Sequence, residues 1–99
     1  MKCVLFYQPG DDIAATAPAH FPSHRAWYEE FHRRGELLMI GTFADAQADG
    51  AMGVFTSRAA AEKFVSGDPF VRHGVVRGWE LRDWNEALVP AAADPGDDD

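Results

Sequence analysis

Two short runs in this chain, Val4-Leu5-Phe6-Tyr7 and Leu37-Leu38-Met39-Ile40, are apolar at every position. A strand sends successive side chains to opposite faces, so a run of this kind needs cover on both sides of a sheet. Neither run is long enough to span a bilayer, and no secretory leader stands at the start. Both are expected as buried strands. The elements between and after them decide the architecture.

Residues 2–8 read as the first strand, which Pro9-Gly10-Asp11-Asp12 breaks. Residues 11–20, rich in alanine and containing Pro18, read as a loop. The spacing predicts a helix over 21–34, with Pro22 tolerated in its first turn and Gly35 as its stop. Trp27, Tyr28 and Phe31 form its apolar stripe, and His24 completes the i, i+3, i+4, i+7 pattern. Residues 37–43 and 50–56 read as strands around a polar turn, and Ser57 caps a second helix that runs to Ser66. After Gly67, the segment Asp68-Pro69-Phe70 opens a connector, and residues 75–84 form the last strand. Residues 1–88 are expected as one domain and 89–99 as an acidic disordered tail.

The order is β-α-β-β-α-β, an α+β chain. Two such units with right-handed crossovers make the ferredoxin-like sandwich, whose helices cover one face of the sheet. The other face, apolar in both opening runs, then needs a partner. A homodimer with the two sheets packed face to face, a dimeric α/β-barrel arrangement, supplies it. The same topology gathers the start of the first helix, the end of the second and the end of the first strand at one rim. His20, His24, Gly67, Asp68, Thr42, Asp45 and Asp49 are expected there, although His24 and Asp68 are far apart in the chain.

An ordered series of residues resembles the YCII-related family. It comprises Pro22-Ser23-His24 entering an apolar helix, Gly35-Glu36-Leu37-Leu38, Gly41, Ala61-Glu62, Asp68-Pro69-Phe70, then Val71, Gly74, Val75 and a closing Trp84. The resemblance covers roughly residues 1–85. It implies a ferredoxin-like fold, a dimer, and a His–Asp active-site pair matching His24 and Asp68. One activity in the family removes chloride from a chlorinated hydroxyquinol, so the resemblance implies a lyase- or hydrolase-like role. The loop of residues 9–20 and the acidic tail depart from the family pattern.

The pair suits general acid–base chemistry. Imidazole can take and give a proton near neutral pH, and an adjacent carboxylate fixes its tautomer and stabilises the cation as it forms. His24 is expected as the acid or base and Asp68 as its orienter. Each has a bland alternative: a core histidine with a satisfied hydrogen bond, and an aspartate opening an ordinary turn. Tyr7, Ser23 and Thr42 are candidates for substrate binding, Tyr7 equally for burial with a satisfied hydroxyl, whereas for Ser23 a helix cap is the favoured reading. His20 and His24 have the i, i+4 spacing of metal ligands, with His73 or Asp68 as a third. Pro22 is expected to leave His20 outside the helix, and no metal site is assigned. No cofactor is expected.

Charge and cysteine usage exclude other classes. The net charge is −7, and four of the acids, Asp94, Asp97, Asp98 and Asp99, lie at the C-terminus. Without clustered Lys and Arg, neither nucleic acid nor an anionic membrane is an expected partner. The single cysteine, Cys3, permits no internal disulfide; a buried, inert thiol in a cytoplasmic setting is expected. The leading expectation is a small-molecule enzyme. The alternatives are a non-catalytic ligand-binding or regulatory dimer, and an oxygenase-like dimer that uses the open sheet face.

Overall fold

The structure is a computed structural model that describes residues 1–90. The chain runs β1 (Lys2–Pro9), α1 (Ile13–Arg33), β2 (Leu37–Thr42), α2 (Ala46–Asp49), β3 (Ala51–Phe55), α3 (Arg58–Gly67), α4 (Pro69–Arg72) and β4 (Val76–Trp84). The four strands form one sheet in the order β2-β3-β1-β4, antiparallel throughout. This is the ferredoxin-like α+β arrangement expected from the element order. Most of the acidic tail, residues 91–99, lies outside the described residues.

Alternation along β1 divides the two faces. Cys3, Leu5 and Tyr7 point to the helices and join Phe31, Phe55 and Phe64 in the core. Val4 and Phe6 point the other way, opposite Val54 and Met52 of β3. A register shift in β2 between Leu37 and Met39 sends Leu37 into the core and Met39 to the outer face, where it is 60% exposed. One extra residue changes which side the following side chains occupy. A fully apolar run thereby feeds both faces.

The main departure from the sequence reading is α1. It begins at Ile13, not near Phe21, and runs for 21 residues with Pro18 and Pro22 inside it. A proline inside a helix costs about 3 kcal/mol because it lacks the N–H and crowds the preceding turn. Ala14, Ala15, Ala17 and Ala19 offset part of this as strong helix formers. The rest comes from tertiary contacts. Asp12, in the left-handed region, makes no side-chain cap. Gln47 of α2 supplies the cap instead: its Oε1 accepts from Ile13 N at 2.8 Å and its Nε2 donates to the Gly10 carbonyl at 2.8 Å. Two further short helices, α2 and α4, replace an expected turn and connector.

The packing of α3 against α1 sets up the rim. A Cβ at Gly67 would lie 2.5 Å from Cζ2 of Trp27, so only glycine permits this approach. Trp27 Nε1 donates to the Phe64 carbonyl at 2.9 Å and fixes the same contact. Asp68, the next residue, is held beside the inner face of α1. Among the described residues, no helix is long and apolar enough to cross a membrane.

Candidate active site

Asp68 ends α3 and caps α4. Its carboxylate accepts from Phe70 N at 3.1 Å, and Pro69 occupies the next helical position, where no N–H is needed. The bland expectation for Asp68, turn chemistry, is therefore one of its roles. The same side chain has two further partners. Oδ1 lies 2.7 Å from His24 Nδ1, and Oδ2 accepts from the Tyr7 hydroxyl at 2.5 Å. Asp68 has no exposed surface, Tyr7 is 6% exposed and His24 is 8% exposed. Two residues 44 positions apart in the chain thus form a buried pair.

A carboxylate can only accept, which assigns the proton of this bond to His24 Nδ1. The ring is fixed from other sides as well. Phe70 stacks on it at 3.8 Å between centroids with the planes 5° apart, and Tyr28, one helical turn on, meets it edge-on at 5.2 Å. Every buried side-chain nitrogen or oxygen among the described residues has a hydrogen-bond partner. Among the described residues His24 Nε2 has no hydrogen-bond partner, so it is not fully buried. His24 lines one cavity, of about 450 Å³.

That cavity lies at the predicted rim. Its walls come from α1 (Ile13, Ala17, Phe21), from β2 (Ile40, Thr42) and from Phe70 of α4, with Tyr7 and Tyr28 beside His24. Among the described residues, no Lys, Arg, Asp or Glu lines it. Burial raises the Tyr7 hydroxyl above its ordinary pKa, and the negative charge of Asp68 and the hydrogen bond to it act in the same direction. Tyr7 therefore stays a donor to the carboxylate.

The other expected site residues divide. Thr42 lines the cavity, whereas Ser23 does not. Ser23 lies exposed inside α1, and with the helix starting at Ile13 it caps nothing. His20 lies within the helix after all, yet its ring stacks on His73 at 4.1 Å with the planes 5° apart. Asp45 caps α2 through Ala48 N. Sequence reasoning missed the first turns of α1 as a cavity wall. The signal was present, because Ile13, Ala17, Phe21, His24, Tyr28 and Phe31 continue one stripe backwards. It missed Phe70 as well, whose stacking partner is distant in the chain.

Comparison with known proteins identifies the family. A profile of the YCII-related domain matches residues 1–85. The chain belongs to the YCII-related family. No curated protein sequence matches it. Among solved structures, it is similar to the 5-chloro-2-hydroxyhydroquinone dehydrochlorinase (TftG) of Burkholderia phenoliruptrix AC1100, in complex with 2,5-dihydroxybenzoquinone. The TM-score is 0.68 at 16% identity, covering 86% of this chain and 94% of the dehydrochlorinase. At that identity the likeness bears on the fold. For this YCII-related chain, function has to be argued from His24, Asp68 and the cavity they border.

Proposed function

We infer that this chain is a small-molecule enzyme, lyase- or hydrolase-like, in which His24 acts as general base and acid and Asp68 orients it. The observation that carries this reading is the pair itself: Nδ1 is held by a fully buried carboxylate, and His24 lines an apolar cavity. Nε2 would take a proton from a hydroxyl or an acidic carbon of the bound molecule. The electron pair left behind forms a new C=O or C=C bond, and a leaving group departs with its own bonding pair. The imidazolium, stabilised by Asp68, then returns the proton to the leaving group or to water. The step uses no cofactor. With no cation in its lining, the cavity suits a neutral, ring-sized molecule, and Thr42 offers a hydroxyl to orient it. The kinship in fold with a dehydrochlorinase supports elimination as the reaction type.

The working unit in this reading is a homodimer. Phe6, Met39 and Met52 lie on the sheet face that no helix covers, and a second copy would bury them face to face. The buried, unpaired Cys3 suits a reducing, cytoplasmic setting.

Screening small phenolic and carbonyl compounds against the wild type and His24→Ala tests the reading. Turnover lost in His24→Ala with an unchanged circular dichroism spectrum is the expected result. Equal turnover in both would reject His24 as the base. Tight binding without conversion would favour a ligand-binding or regulatory dimer, a role the nearly apolar lining also suits.

A further inference from the structure

We propose that Tyr7 is a positioning residue: its hydroxyl fixes Asp68 against His24 and moderates the negative charge that the imidazole feels. The proposal rests on the acid–base reading of the His24–Asp68 pair and gives a role to a residue that the reading does not use.

The geometry carries it. Asp68 is fully buried and its carboxylate has three donors. Phe70 N and His24 Nδ1 share Oδ1, while among the described residues Oδ2 has the Tyr7 hydroxyl alone, at 2.5 Å. Without that hydroxyl, one oxygen of a buried anion would have no partner, because no water-exposed surface remains on Asp68. The charge Tyr7 now disperses would then bear more strongly on the only other mobile proton in contact, that of His24. Tyr7 comes from β1 and Asp68 from the α3–α4 junction, so this bond also ties the sheet to the rim. Burial and the neighbouring anion both hold the phenol in its protonated form, so it acts as a fixed donor and not as a second base.

Among the described residues, no other charged group competes for this role. On α1 the titratable neighbours of His24 are Tyr28, edge-on at 5.2 Å, and His20, which stacks on His73 beyond α4. From α4 the contact is Phe70, and β2, β3 and β4 bring no ionisable side chain to the cavity.

The test follows the ring nitrogens of His24 by ¹⁵N NMR through a pH series in four proteins: wild type, Tyr7→Phe, Asp68→Asn and the double variant. Backbone spectra confirm that each is folded, and if Tyr7→Phe does not fold, Tyr7→Leu and Tyr7→Met, which also lack a donor, stand in for it. In Tyr7→Phe the change from neutral to cationic signature should move to higher pH by roughly 0.5–1 unit, three- to ten-fold in proton affinity. In Asp68→Asn it should move to lower pH, and adding Tyr7→Phe to that variant should cause no further movement, because the carboxylate through which Tyr7 acts is gone. A wild-type profile in Tyr7→Phe, or an equal upward shift in the Asp68→Asn background, overturns the proposal alone. An Asp68→Asn profile that matches wild type overturns the His24–Asp68 reading beneath it.

Discussion

Replacing Asp68 by alanine should cost far more stability than replacing it by asparagine, and the difference can be worked from its contacts. Alanine removes the cap on α4, at about 1 kcal/mol. It leaves the Tyr7 hydroxyl and the His24 Nδ1–H as buried donors without partners, each costing about 1–3 kcal/mol. Relief from burying a charge offsets part of this, so the net loss should be about 3–5 kcal/mol. Asparagine keeps an oxygen for Phe70 N and for His24 and can still pair with Tyr7, so its cost should be about 1–2 kcal/mol. Against a total stability of about 5–15 kcal/mol for a domain of this size, the alanine variant should be marginal. Urea denaturation gives both values, and thermal melts should fall by roughly 4–8 °C per kcal/mol. Alanine and asparagine variants within ~0.5 kcal/mol of each other would refute the claim that the carboxylate holds the rim together.

Three further outcomes follow from other parts of the structure. The Tyr7 hydroxyl is held above the ordinary tyrosine value of 10.0, so the folded chain keeps a proton that the unfolded chain loses. That contribution to stability is complete below about pH 10 and declines as pH rises beyond it. In an alkaline titration at constant ionic strength, tyrosinate absorbance from Tyr7 should therefore appear only with unfolding, and Asp68→Asn should bring it to lower pH. Gly67→Ala should destabilise by roughly 1–3 kcal/mol through the clash with Trp27, read by denaturation and by loss of near-ultraviolet tryptophan ellipticity. Light scattering should give a dimer mass for the wild type and a monomer mass for Phe6→Glu; a wild-type monomer at micromolar concentration would remove the dimer.

How far the sequence reached depends on which interactions are local. Strand order and the second helix were legible because period-2 and period-3.6 patterns, Gly35 and the Ser57 cap are all local signals. The first helix was cut short because Pro18 and Pro22 are strong local breakers. What caps its true start is Gln47, 34 positions away from Ile13. The wrong start then misassigned Ser23 as a cap and His20 as lying outside the helix. His24 and Asp68 were brought to one rim by topology, which is a coarse argument that needs no side chains. Tyr7 shows where that argument ends. Its inward direction follows from alternation with Cys3 and Leu5. The choice of Asp68 as its partner depends on a hydroxyl reaching across the core, which no pattern in the chain encodes.

The central claim, that His24 moves a proton on a bound small molecule, is tested most directly by solvent deuterium. A carbonyl compound with an acidic C–H that binds the cavity is incubated in D₂O with wild type and with His24→Ala, both shown to bind it, and exchange is followed by proton NMR. Exchange catalysed by the wild type and lost in His24→Ala is the predicted result, and exchange at the same rate in both would contradict the account.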